Sequence, residues 1–357
     1  MRRGLPTIFG TLIAASLLVS APLAAQEAPG GAPDYSAFRE GLFLRYLDAQ
    51  PGGIARVPRI GLSFGGEVLS ADLDSGSTGI VVAATYIPGL NQLPVQGPGE
   101  LTYTSSGRVM VGQWVVTPVT LSGKEGASLT TAPLPVLAVT EVRCLSSARD
   151  CTPSSDPRHI AMVGVGFARE ADRQSQSTPD KNPLLNIAPG ERPRRQGYIL
   201  TTEGVHIGLT AANTRGPFRY LKLERRPDGT DWQPTPACIS LNGATPPACG
   251  SALVDTGVGA MFMTVPAAQA GAAGVGADGS PARTLPEGTQ VAISVGAGVQ
   301  AFPLYAFTVG DGSPLAPEAI HLRVAPDRVF VNTSFHLLNG YDVLFDGEGG
   351  YVGFRGR

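Results

Sequence analysis

Long apolar runs, helical periodicity, an excess of one charge and paired metal ligands are all scarce in this sequence, and each scarcity excludes something. The apolar run near the start, from about Thr11 to Val19, falls short of the roughly 20 residues that cross a bilayer. No long stretch keeps a 3.6-residue apolar period without Gly or Pro breaking it, which argues against a helical bundle. Lys and Arg number 27 against 29 Asp and Glu, so the charge pattern asks for neither nucleic acid nor an anionic membrane as partner. The four His (159, 206, 321, 336) include no pair at metal-ligand spacing, and the four Cys lack both a CxxC spacing and a His nearby in sequence. No metal or cofactor is expected.

What is abundant points to β-structure. Gly (46) and Pro (31) punctuate short apolar runs with turn signals such as "DG", "GG", "NG" and "PG", the pattern of an all-β protein long enough for two lobes. Residues 1–25 read as a signal peptide: Arg2 and Arg3, the apolar run, then Ala21, Ala24 and Ala25 ahead of Gln26. Their removal takes the formal charge from −2 to −4. No Cys follows the cleavage region to carry a lipid, so the mature chain is expected to be secreted or periplasmic, off the membrane, and monomeric. Residues 26–55 form a short N-terminal segment. In an exported chain an even Cys count suggests disulfides. Of three connectivities, Cys144–Cys151 with Cys238–Cys249 is favoured because each closes a short loop.

The most informative signal is a repeat. "SADLDSGSTGIVV" (70–82) brings Asp74 into an apolar strand with Ser75 and Gly76 directly behind it. A carboxylate stripped of water costs several kcal/mol or more unless it is paired, hydrogen-bonded or neutralised. After 181 residues, "SALVDTGVGAMFMTV" (251–265) repeats the arrangement as Asp255-Thr256-Gly257, with Met261-Phe262-Met263 matching Ile80-Val81-Val82. Each copy is followed by a later apolar strand, "HIAMVGVGF" (159–167) and "DRVFVNTSF" (327–335). The halves therefore have a duplicated architecture related by an approximate two-fold.

This constellation resembles the pepsin-like aspartic peptidases over most of the mature chain. "VPRIGLSFGGEVLSADLDSGSTGIVV" is similar to the family's first strands and catalytic loop. "ELTYTSSGRVMVGQWV" (100–115) resembles its flap hairpin, with Tyr103 at the flap tyrosine, and "NGYDVLFDGEGGYVGF" (339–354) resembles its closing strands. The signal segment and compact loops suggest a bacterial-style exported member. The resemblance implies a bilobal all-β fold with the cleft between an N-terminal lobe (56–195) and a C-terminal lobe (196–357). It also implies an aspartic endopeptidase whose polypeptide substrate lies extended in that cleft.

Asp74 and Asp255 would then meet across the lobes and share one proton, since two carboxylates at about 3 Å cannot both ionise. One would activate a water and the other protonate the carbonyl oxygen. Gly76 and Gly257 permit close approach of the loops, the hydroxyls of Ser75 and Thr256 suit a tie between them, and Ser77 can hydrogen-bond Asp74. Tyr103 has the alternative of an ordinary cross-strand aromatic. Trp114 reads as core, and Asp342 and Asp346 as solvated turn acids.

Several features depart from the family pattern. Val258 stands where a hydroxyl residue usually follows the second Gly, so Asp255 is expected to lack the hydrogen bond that Ser77 offers Asp74, shifting activity toward milder pH. Asn332 is read as replacing the family's glycine after the second apolar strand. No long basic segment precedes the core, so activation by prosegment removal is not expected. "GLSFG" (61–65) fits the serine-hydrolase G-x-S-x-G pattern but continues as strand rather than into a helix. The alternative reading is a pepsin-fold protein that binds peptides, glycans or another protein without turnover.

Overall fold

The computed structural model describes Met1, 31–148, 151–174, 176–190, 193–276 and 283–357. The expected signal segment, apart from Met1, therefore lies outside the described residues. Among the described residues, strands form three sheets of nine, eight and six, with one short α-helix, Ala267–Ala272.

The nine-stranded sheet is drawn from residues 59–165 and the eight-stranded sheet from residues 235–332. Each is built around the same arrangement. In the first, Ala161–Val165 lies between Leu69–Asp74, to which it is parallel, and Thr78–Ala83, to which it is antiparallel. In the second, Phe330–Asn332 lies between Ala248–Leu253 (parallel) and Met261–Val265 (antiparallel). All six residues of Thr78–Ala83 are buried, as its unbroken apolar run requires of a strand covered on both faces. Gln290–Val295 instead alternates exposed and buried residues through most of its length, the period of a half-buried antiparallel strand. Ser63 of the "GLSFG" run ends the strand Arg59–Ser63, which pairs antiparallel with Leu69–Asp74. That strand–turn–strand context is not a nucleophile elbow.

The six-stranded sheet runs Leu42–Arg45, Gly204–Leu209, Arg195–Leu200, Tyr341–Asp346, Tyr351–Gly356, Arg219–Lys222. Its buried face carries Tyr198 and Phe345, rings 5.1 Å apart. Both disulfides form, Cys144–Cys151 and Cys238–Cys249. The second joins residues directly opposite one another on antiparallel strands.

Asp346 and Asp342 correct the expectation of solvated turn acids. Asp346 is fully buried. It accepts two hydrogen bonds from the Arg195 guanidinium (3.0 and 2.8 Å), one from the Tyr35 hydroxyl (3.1 Å) and one from Gly349 N–H (2.8 Å). Asp342 is held by Arg355 at 3.0 and 2.7 Å. A strand-end carboxylate facing inward needs such partners, and arginines 151 residues upstream and 13 downstream give no local sequence signal. Arg195→Ala leaves Asp346 buried without its counter-charge, so it is expected to cost about 3 kcal/mol of stability. A chemical denaturation midpoint equal to wild type would contradict this.

Candidate active site

Asp74 ends the strand Leu69–Asp74, and Asp255 follows Ala248–Leu253 by two residues. Their loops interlock by a reciprocal set of hydrogen bonds. Ser75 N–H donates to Thr256 Oγ1 (2.9 Å), and Thr256 N–H donates to Ser75 Oγ (3.1 Å). The Ser75 hydroxyl donates to Val254 O (2.8 Å), and the Thr256 hydroxyl to Leu73 O (2.6 Å). Four buried polar groups are thus satisfied only by the opposite half of the molecule. A hydroxyl of either residue type serves because it donates and accepts at once.

The lock brings the carboxylates together. A Cβ added to Gly76 would strike the carboxyl group of Asp255, and one added to Gly257 would strike that of Asp74. Both glycines are therefore required by the space the opposite carboxylate occupies.

The two acids are differently supplied with donors. Asp74 accepts at Oδ1 from Gly76 N–H (2.7 Å) and Ser77 N–H (3.3 Å), and at Oδ2 from the Ser77 hydroxyl (2.5 Å). Asp255 accepts from Gly257 N–H (2.8 Å) and, at Oδ2, from the side-chain amide of Asn332. Burial, then the neighbouring charge of Asp74, holds the Asp255 carboxyl well above the usual carboxylate range, with the Asn332 and Gly257 hydrogen bonds opposing. Both acids are buried.

Asn332 corrects two expectations. The hydrogen bond thought missing at Val258 is supplied to Asp255 by Asn332 from the strand behind it. Nor does Asn332 stand in a glycine's place. Met162 pairs with Asp72 and Val81, whereas Asn332 pairs with Leu253 and Phe262, which lie 181 residues further on. Asn332 is therefore the counterpart of Met162, and Ser334 the counterpart of Gly164. The signal was available in principle: an amide side chain two residues before a turn, opposite a loop lacking its hydroxyl.

Ser334 has φ 61° and ψ 178°, a conformation almost confined to glycine and costing about 1–3 kcal/mol in other residues. Its hydroxyl accepts from His336 N–H (3.3 Å), and glycine replaces such a cap at little loss. Ser334→Gly is thus expected to match or exceed wild-type stability, while Ser334→Val loses about 2 kcal/mol. Thermal unfolding of the pair decides it, and the reverse order would refute the strain argument.

Tyr103 closes the hairpin of Val95–Tyr103 with Arg108–Thr117 and reaches the Asp74 side of the site. Its hydroxyl donates to Met162 Sδ at 2.8 Å, and the Ser77 hydroxyl lies 3.8 Å from the same sulfur. Burial and Asp74 push the phenol's pKa up. Trp114 is buried beside Leu101 and Leu137, a core residue as read.

Two sheets built on one repeated pattern, with paired D-[S/T]-G loops interlocked between them, define the bilobal pepsin-like aspartic protease fold. The crystal structure of an aspartic proteinase from Irpex lacteus matches this chain with a TM-score of 0.52 and 13% identity, over 89% of this chain and 97% of that one. At that identity the likeness establishes the fold. No protein-family model and no curated protein matches the sequence.

Proposed function

We propose that the protein is an exported aspartic endopeptidase of bacterial style, with Asp74 and Asp255 as its catalytic dyad. The observation that carries the reading is the reciprocal packing of each carboxylate against the opposite loop's glycine. Such packing makes one shared proton the stable state of the pair. Asp74 accepts from three donors, and burial favours protonated Asp255. Asp74 accordingly takes the proton from an attacking water, and Asp255 donates to the amide carbonyl oxygen as it becomes tetrahedral. The peptide lies extended between the lobes, held by main-chain hydrogen bonds, with alternate side chains in pockets. The hairpin carrying Tyr103 covers it. The two disulfides suit an oxidising compartment, which supports export; the exported chain is proposed to act as a monomer.

The deciding experiment is cleavage of an unfolded protein from pH 3 to 7 by wild type, Asp74→Asn and Asp255→Asn, each first shown to be folded. Loss of cleavage in both variants supports the dyad. No cleavage by folded wild type at any pH overturns the peptidase reading in favour of a binding protein.

A further inference from the structure

We infer that Asn332 is a positioning residue that replaces the hydroxyl absent at Val258 and sets the pH at which Asp255 gives up its proton. The inference rests on the dyad reading for its kinetic consequence, though not for its titration.

The geometry is specific. Position 258 is the repeat counterpart of Ser77, whose hydroxyl donates to Asp74 Oδ2. The valine side chain has no donor, and the residue's backbone carbonyl is taken by Phe335 N–H at 3.1 Å. Asn332 approaches from the strand beneath and donates from Nδ2 to the corresponding oxygen, Oδ2 of Asp255. Its own carbonyl, Oδ1, accepts from Ser334 N–H at 3.1 Å. That second bond fixes the amide with its NH2 toward the carboxylate and its oxygen away, so the buried side chain presents only donors to Asp255. Thus the strained turn, the amide and the acid form one chain of contacts. In the first half Met162 occupies the equivalent position, and its sulfur meets the hydroxyls of Tyr103 and Ser77 rather than the acid itself.

Few other groups act on this carboxyl. Asp74 faces it from the first loop, and Tyr103 and Asp72, the latter bound by Arg59, lie close enough to feel the Asp74 charge in turn. On the turn after Asn332, the His336 ring stacks on Phe335 and engages Pro314 O.

A donor aimed at the ionised form lowers the pH at which the proton leaves. Removing it retains the proton to higher pH. Because the active dyad carries one proton, the alkaline limb of the kcat/KM profile then moves upward. An amide offers what a hydroxyl would, but it comes from the strand rather than the loop. Asp255 is therefore tuned independently of the loop that locks the two halves together.

The test compares wild type, Asn332→Leu, Val258→Thr and the double variant. Asn332→Leu is expected to shift the alkaline limb up by about one pH unit, and Val258→Thr in that background to return it. In wild type Val258→Thr shifts the limb by less than about half that amount, because Oδ2 is already occupied. This arm still decides the matter if Asn332→Leu does not fold. An unmoved limb in folded Asn332→Leu, or a full downward unit from Val258→Thr alone, overturns the inference. A second readout needs no activity. The Tm difference between wild type and Asn332→Leu is expected to stay constant at acid pH and to widen from about pH 7 to pH 9, as wild-type Asp255 loses its proton at about 8 while the variant's native state keeps it longer. An offset independent of pH would mean lost packing only, and would overturn the inference. Failure of wild type to cleave any substrate sinks the peptidase reading while leaving this titration to be judged separately.

Discussion

Asp74→Asn and Asp255→Asn are each expected to lower kcat/KM toward an unfolded polypeptide by about 10³- to 10⁴-fold, because each removes one side of a coupled acid–base pair. The two variants should differ in stability. Asp255 is the buried partner whose proton is held above the ordinary carboxylate range, so the native state binds more protons there than the unfolded chain does. Wild-type stability then falls as pH rises from that ordinary range through neutrality. Asp255→Asn cannot lose this proton, and its Tm relative to wild type should climb over the same interval. Asp74→Asn withdraws a charge that helps keep Asp255 protonated, so Asp255 gives up its proton at lower pH there, and the Tm relative to wild type should climb less and only over the upper part of that interval. Paired melting curves from pH 4 to pH 8 distinguish the two patterns, and identical curves would count against the unequal roles.

Gly76→Ala and Gly257→Ala should also be damaging, though each leaves both acids in place in the sequence. Each methyl would occupy the space of the opposite carboxyl, so Gly76→Ala displaces Asp255 and Gly257→Ala displaces Asp74. A shift of about 1 Å in a catalytic pair costs on the order of 100-fold in rate. Overpacking adds a stability loss of about 1–3 kcal/mol. Kinetics on folded protein test this, and near wild-type kcat/KM in either variant would show that the carboxylates are not as close as described.

Much of this was legible in the sequence because duplication converts weak local signals into a strong one. A lone D-S-G says little, but the second copy in register identified both loops, the hydroxyls of Ser75 and Thr256, and the need for glycine behind each acid. The fold followed from the same pairing. What escaped notice depends on contacts that sequence spacing does not encode. Asp346 reads as a turn acid until Arg195 folds across it from 151 residues away. Asn332 was misplaced by counting toward a glycine. The strand ladder, which sets its true counterpart at Met162, emerges only from the pairing of Asp72 and Leu253 with strands that follow much later in the chain.

The six-stranded sheet makes the chain topologically interleaved. Its third and sixth strands, Arg195–Leu200 and Arg219–Lys222, precede the second D-T-G loop, yet the two strands between them, Tyr341–Asp346 and Tyr351–Gly356, come from the C-terminus. A single cut in the turn around Asp228 and Gly229 would therefore not free two separable lobes. The C-terminal fragment would remain clasped by hydrogen-bonded neighbours on both sides, and the nicked molecule should migrate as one particle until it is denatured.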